Sequence, residues 1–537
     1  MAKHVKANIV REIKSAKYFS IMVDCTPDVS HTEQLSLIVR YVHIEEKTVT
    51  IKERFMGFDT LDKQVAESYK NAVIGILNEY SLDINCLHGQ SYDNASAMAG
   101  KYNGLQKKIL EINPNAHFCN CACHCLNLLL SDCANCCCKF KTYFGTLQSL
   151  YAFLSGSTQR WSILLQFVTI VCKRQPETRW EGKIDAVKAI RLETPRLLNA
   201  IKKILETTTV KPQAAAEIKG VAKTMATFDF VLTTVIWYEV LSQINFVSKS
   251  LQAVNMQIDV TVDKLDGLHQ WIKSYRQTGF NEALKTAEDL SRQWSRKLDV
   301  EIPSSFAAST SGRRRTITSF FDKETRDDPI ICPKKKYEVE CFNVMVDLFI
   351  REIRTRFVNH KKFQSDYGFL FEIMSNEDEI KDMPISKLKE ECDNIAKVVG
   401  GNLVSSEDLN QEIIFFCNLP NKDKVISDLK AKEKSYDLSK TGFGALTYIV
   451  RSESIDSYPN LFMSLQIMLT LPITIGTAER SFSKLKLIKT YLRSTMTQNR
   501  LSNLTILSIE HEESQKLDID SLIDEFAVIK ARKQRFL

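Results

Sequence analysis

Apolar positions in the first quarter of the chain come in short runs of strand length, whereas beyond about residue 140 they recur at helical spacing. Tyr18, Phe19, Ile21, Met22 and Val23 form a nearly continuous apolar run ended by Asp24, the pattern of a central strand covered on both faces. Cys25-Thr26-Pro27-Asp28 follows, and Pro27 is expected to stop ladder pairing. Residues 35–44 and 48–56 read as two more strands joined by the polar turn Glu45-Glu46-Lys47, so strands one to three predict an antiparallel meander. A helix is expected from Asp59 or Thr60, either of which can cap it, with Val65, Tyr69, Val73 and Ile76 on its packed face. Residues 86–92 lead into Asp93, a second carboxylate at a strand end, and 94–98 open a helix. A helix over 104–112, a strand over 116–121 and a helix over 123–132 complete the order βββαβαβα.

From about 140 to 458 the pattern is helical throughout. Leu251, Val254, Ile258, Val262, Leu265, Leu268 and Ile272 make a stripe in steps of three and four, read as the core face of one long helix. Residues 301–337 break this texture: they are rich in Ser and Thr and carry Arg313-Arg314-Arg315 and Lys334-Lys335-Lys336. They are expected to form a flexible loop whose basic triplets touch phosphate, act in nuclear import, or are simply solvated. Residues 461–471 predict an apolar helix ended by Pro472, a helix starts near Ala478, and Leu501, Leu504, Leu507 and Ile509 mark a closing helix.

Composition narrows the class. The 44% hydrophobic and 26% charged content is that of a soluble globular protein, and 537 residues allow two or three domains. A net charge of +7 permits a nucleic-acid partner without demanding one. The first twenty residues carry charges throughout, with no apolar core of a signal peptide, and apolar runs such as 163–172 are too short for a bilayer. The fifteen cysteines are therefore expected to be thiols or metal ligands of a reduced, intracellular protein.

Open α/β sheets place ligands and chemistry at the carboxyl ends of their strands, where Asp24 and Asp93 fall. Taken alone, Asp24 is better read as an ordinary turn residue than as a site residue. With Glu479 a third acid joins them. Carboxylates converging on two hard divalent cations about 3.5–4 Å apart suit water activation at a phosphodiester. Spacing along the chain does not reveal whether they converge.

Five ordered motifs, FSIMVDCTPDVSHTEQLSLIVRYV, SYDNASAMAG, CACHCLNLLLSD, ETRW and TIGTAERSFSKLKLIKTYLRSTM, resemble those of hAT (hobo–Activator) superfamily transposases. The narrower likeness is to the zinc-finger MYM-type-1-like and protein-kinase-inhibitor-repressor-like group. The resemblance implies an α/β fold: a ribonuclease-H-like catalytic domain interrupted by a large all-α insertion, its first and fourth strands adjacent. Residues 1–150 would hold the first part with both Asp residues, 151–455 the helical insertion with the basic loop near 301–337, and 456–537 the end of the domain with the dimerisation region.

The same resemblance implies roles. Asp24, Asp93 and Glu479 match the catalytic acids and would bind two Mg²⁺ or Mn²⁺ ions. Cys121 and His124 match an active-site-supporting Cys-x-x-His motif, with His124 the functional member. Arg179-Trp180 matches an Arg-Trp motif whose Trp stacks on DNA near the cleavage point, although a lone Trp in a helical domain is otherwise core. Cys121-x-x-His124 and Cys133-x-x-Cys136 have zinc-like spacing, yet the motif needs no zinc; buried thiols are expected and a structural zinc is not.

The implied partners are DNA and a second copy of the chain, in a homodimer or higher oligomer, with no membrane and no small-molecule substrate; the implied location is the nucleus. Such proteins carry a DNA-binding zinc finger before the first Asp, and here only some twenty residues precede Asp24, so the chain is expected to be a fragment or to have lost that module. The rival expectation is a catalytically silent, domesticated protein acting as a nuclear dimerising regulator. A third, a metal-dependent nuclease unrelated to transposition, leaves the helical insertion and the Arg-Trp motif unexplained.

Overall fold

The computed structural model describes residues 1–174, 180–252, 256–298, 301–307, 332–420, 422–431 and 438–528. They form two compact units, one made of residues 1–125, 251–263 and 357–537 and the other of 126–250 and 264–356. These limits differ from those read from the sequence. Residues 126–150 belong to the second unit, and the helices of 357–455 belong to the unit that holds the sheet. Helical periodicity reports that a face is buried, not which unit buries it.

The first unit contains a five-stranded sheet of β1 (Phe19–Pro27), β2 (Glu33–Glu45), β3 (Thr48–Leu61), β4 (Leu87–Tyr92) and β5 (His117–Asn120), in the order β3-β2-β1-β4-β5. The first three strands pair antiparallel, as the meander predicts, while β1, β4 and β5 run parallel. β1 and β4 are neighbours, and every residue of β4 is buried, as a strand covered on both faces requires.

Three local expectations change. β1 does not stop before Pro27, which pairs with Glu33; the missing N–H costs nothing at a strand end that has a neighbour on one side only. β3 runs on to Leu61, so Asp59 and Thr60 pair with Leu35 and Gln34 instead of capping a helix. The helix starts at Ala66, after an exposed Val65. The edge offered by β2 extends to Glu33, and ladder pairing there outweighs the local capping preference. A shift of register between Leu37 and Ile38 places an extra residue, Met56, in β3 beside Gly57, whose φ is +142°. The bulge turns Phe55 and Phe58 onto one face, 4.9 Å apart edge to face, with Phe482 stacked on Phe58 at 5.6 Å.

Helix Ala2–Ala16, hidden in the sequence by its interleaved charges, buries Val5, Ile9, Ile13 and Ala16. Helix Pro459–Thr470, where the sequence predicts an apolar helix, is buried at every position from Ser464 to Thr470. It packs closely on the sheet: a Cβ at Gly89 would lie 2.5 Å from Ser20 Oγ and 2.8 Å from Pro472 Cδ, so only glycine fits. Helix Gln498–Ile509 buries Leu501, Ser502, Thr505 and Ile506. Beyond it, Arg54 of β3 binds Glu510 at 2.8 Å and Glu513 at 2.9 Å, anchoring the later segment to the sheet.

In the second unit the expected stripe is divided: Leu251 ends helix Phe228–Leu251, while Ile258 to Ile272 lie on helix Ile258–Ser295, whose first residues pack in the sheet unit. Val254 and most of the basic loop, including Arg313 to Arg315, lie outside the described residues. Lys334 to Lys336 sit on the short helix Pro333–Tyr337. By length and composition alone Phe228–Leu251 could cross a membrane, but 67% of its apolar window is buried inside the structure. Trp237 at its centre, fully buried, marks it as a core helix.

Candidate active site at the ends of the first and fourth strands

The parallel register of β1 and β4 pairs Met22 with Ser91. The ladder ends there; continued by two residues along each strand, the same register would set Asp24 level with Asp93, on strands about 4.8 Å apart. Both carboxylates are half-buried, and one oxygen of each is oriented by an amide of its own loop. Asp24 Oδ1 accepts the Cys25 N–H at 2.9 Å, and Asp93 Oδ1 accepts that of Ala95 at 3.1 Å.

Asp24 pairs across β2 with Ser36, so the two side chains share a sheet face. Ser36 Oγ bonds Ser481 Oγ at 2.8 Å, which fixes helix Gly476–Ile488 over that face. Glu479 lies in the first turn of this helix and is half-buried. Its charge is felt by Cys121, whose N–H donates to Tyr92 O at 3.1 Å, immediately before Asp93.

Cys121 joins the two halves of the site. It stands just before helix Ala122–Asn135, fully buried, and its sulfur accepts the Ile475 N–H at 3.4 Å and the His124 amide. Ala122 N–H donates to Ile473 O at 3.1 Å. The segment leading into the Glu479 helix is thus tied to the strand-end turn. Burial first, then Cys123 and the Glu479 carboxylate, push the Cys121 thiol well above its ordinary range, so it serves as a neutral acceptor and not as a nucleophile. His124 is half-buried one turn into the helix, beside Cys121.

Acidity extends past the three expected residues. The Cys25 thiol is driven far up by burial and then by the charges of Asp24, Glu33 and Asp93. Tyr69, on helix Ala66–Glu79, is raised by burial, then by Cys25, Glu33 and Asp93. Glu33, at the start of β2 opposite Pro27, therefore contributes to the same negative field. Its place 9 residues after Asp24 gave no signal, because only the turn between β1 and β2 returns it to the strand end. Asn94 was missed as well: it donates to Cys125 Sγ at 3.2 Å and accepts from Asn120, which in turn accepts from Asn359 at 2.6 Å. This amide chain braces the loop after Asp93.

Asp24 and Asp93 border one end of the sheet, and Glu479 lies on the helix fixed over the Asp24 face. Among the described residues no group of three or more His, Cys, Asp or Glu side chains is arranged to hold a metal ion. The two zinc-like pairs are separated too, since Cys121 and Cys133 stand at opposite ends of helix Ala122–Asn135, about 18 Å apart at the α-helical rise.

The Arg-Trp expectation requires correction. Arg179 lies outside the described residues. Trp180 is 4% exposed, with its ring stacked at 5.7 Å on Trp237, edge-on to Phe144 at 5.3 Å, and 3.6 Å from Lys183 Nζ. Its backbone N–H donates to Asn127 Oδ1 at 3.3 Å. An indole engaged in this way offers no face to a nucleobase, because aromatic burial in the helical core competes for the same surface. Burial lowers the Lys183 ammonium to about 8.

Comparison with known proteins agrees with the motif resemblance at both ends of the chain. Residues 1–104 match the family described as ZMYM1/FAM200, RNase-like domain, and residues 428–513 match the hAT family C-terminal dimerisation region. Over 98% of its length the chain is 22% identical to the 52 kDa repressor of the inhibitor of the protein kinase of Homo sapiens, and 22% identical to that of Mus musculus. It spans 66% of the length of each. The chain is homologous to these proteins and is transposase-like, of the hAT type, with a C-terminal dimerisation region.

Proposed function

We propose that this chain is a hAT-type DNA transposase, or a recent derivative of one, whose cleavage centre is Asp24, Asp93 and Glu479. The observation that carries this reading is the β1–β4 register, which brings the first two acids to adjacent strand ends, with the Glu479 helix pinned above them through Ser36 and Ser481. The donor set consists of carboxylate oxygens, as Mg²⁺ and Mn²⁺ require. Bound there, two such ions supply Lewis acidity and charge neutralisation at a phosphodiester.

The chain's own residues would then divide the work. Asp24 and Asp93 would hold the ions from the rigid sheet, each carboxylate aimed by its loop amide. Glu479 would complete the site from the helix, whose position is set through Cys121 and Ser481. His124 would support the site from the first turn of helix Ala122–Asn135, and the Asn94–Asn120–Asn359 chain keeps the Asp93 loop in position. DNA is the substrate in this reading, and the nucleus its place of action. Residues 428–513 pair two copies of the chain.

A second reading, a dimerising nuclear regulator without cleavage activity, has its own support. The three carboxylates are not gathered into a ready ligand cage, and the relatives named above are called repressors. A strand-nicking assay on DNA oligonucleotides with Mn²⁺, comparing the native chain with Asp93→Ala, separates the two. Nicking by the native chain alone supports the enzyme. Intact DNA with both proteins, together with a dimer by light scattering, leaves the regulator.

A further inference from the structure

Two charged residues of the sheet, neither of them used so far, grip the helix that carries Glu479. Arg40 of β2 and Glu53 of β3 are cross-strand partners, joined at 2.7 Å with side chains 4% and 9% exposed. One Glu53 oxygen takes the Arg40 guanidinium, and the other accepts the hydroxyl of Thr477, in the first turn of helix Gly476–Ile488. Arg480 Nη2 donates to the same Thr477 oxygen at 2.6 Å. Both guanidiniums are anchored on backbone as well: Arg40 Nη2 donates to Met256 O at 3.3 Å, and Arg480 Nη1 to Gln252 O at 3.5 Å. All of these residues belong to the sheet unit.

Where this contact falls on the helix decides what it does. At about 100° of turn per residue, Thr477 and Glu479 stand on opposite flanks of the helix. The buried Ala478, Phe482 and Leu485 make the face between them. Ser481, one turn beyond Thr477, is held by Ser36 on the Thr477 side. The helix is therefore gripped at two successive turns away from Glu479, and that grip sets its roll about its own axis. A roll of about 10° would carry a carboxylate held about 5–6 Å from the axis through about 1 Å. A catalytic constellation tolerates only about 0.5 Å.

We propose that Glu53 is a positioning residue of the candidate site: backed by Arg40 and Arg480, it fixes the first turn of the Glu479 helix through Thr477, and thereby where the Glu479 carboxylate comes to rest. The inference rests on the cleavage reading for its chemical consequence, because Glu479 matters there as a ligand of Mg²⁺ or Mn²⁺. The grip itself stands on the contacts above. Glu53 is not a further metal ligand, since both its oxygens are engaged by Arg40 and Thr477. One acid holds the helix, and the helix presents another.

The test compares the full native chain with Thr477→Val, which keeps the shape of the side chain and removes its hydroxyl, and with Thr477→Ser, which keeps the hydroxyl. In Thr477→Val the amides of Glu479 to Ser481 should exchange roughly 5- to 10-fold faster, while the unfolding midpoint stays near the native value. Its affinity for Mn²⁺, read from the electron paramagnetic resonance of the free ion, should fall roughly 10-fold or more. Thr477→Ser should restore both. A purely structural contact would move the unfolding midpoint and leave the Mn²⁺ affinity alone. The proposal is overturned if Thr477→Val exchanges at the native rate, or if it binds Mn²⁺ like the native chain while Glu479→Ala binds it more weakly. Equal Mn²⁺ affinity of the native chain and Glu479→Ala would instead remove the cleavage reading, and exchange alone would then decide whether Glu53 holds the helix.

Discussion

Ser36 and Ser481 stand 445 positions apart and share a buried hydrogen bond of 2.8 Å. Ser36 is the cross-strand partner of Asp24, and Ser481 follows Glu479 by two residues on the same helix. One hydroxyl pair thus connects the strand of the first acid with the helix of the third.

Removing one member of that pair should loosen the connection. Ser481→Ala is expected to cost about 1–2 kcal/mol, since it leaves the buried Ser36 hydroxyl short of a partner. The double variant with Ser36→Ala should cost less than the sum of the two single changes. A double-mutant cycle, read by hydrogen exchange of β1 and β2, checks both statements.

Asp28 and Lys489 form a buried ion pair at 2.6 Å, their side chains 1% and 6% exposed. Burial alone would raise the Asp28 carboxyl. Lys489, the amides of Ser30 and Thr32, and Gln34 reverse this and hold it below the usual carboxylate range. Lys489→Met leaves that carboxylate buried without its cation and is expected to cost about 3–5 kcal/mol. The joint replacement Asp28→Asn with Lys489→Met should recover part of the loss. Denaturant titration followed by exchange of β1 and β2 measures the difference.

Acid should unfold the sheet unit before any carboxylate titrates in bulk. Burial depresses His88 to about 4, with His117 adding to the effect. His360 is likewise lowered to about 4 by burial, with the Ile473 carbonyl offsetting part of it. A histidine whose folded value lies below its unfolded value of about 6.5 is neutral in the native state, so its contribution is complete above pH 6.5 and is lost as pH falls toward 4. Each is expected to remove about 3 kcal/mol across that window. His88→Phe should move the acid transition of β1 and β4 to lower pH, with exchange mass spectrometry as the readout.

All five tryptophans belong to the helical unit, so their fluorescence reports its unfolding alone. Trp180→Ala is expected to destabilise that unit by about 3–5 kcal/mol through the cavity left against Trp237 and Phe144. Single-stranded DNA should leave the emission of Trp180 unchanged, measured as the difference between the native chain and Trp180→Phe. A quench specific to Trp180 would restore the stacking role expected from its motif.

Much of this protein was written in local pattern. The apolar run before Asp24, the turn at Glu45-Glu46-Lys47 and the saturated helix after Pro459 each announce their structure, because strand and helix periods are properties of a few neighbouring residues. The five motifs pointed to the hAT likeness that both matched regions bear out.

Tertiary structure decided what contiguous residues do not encode. β3 swallowed Asp59 and Thr60 because β2 had an edge to pair, and Trp180 turned inward because Trp237 and Phe144 were there to receive it. Glu33 and Cys121 entered the site through a turn and a distant loop. A sequence fixes which surfaces are apolar or charged, whereas which of them meet depends on contacts between segments hundreds of residues apart, and those contacts set the burial and the electrostatic field on which any chemistry here would depend.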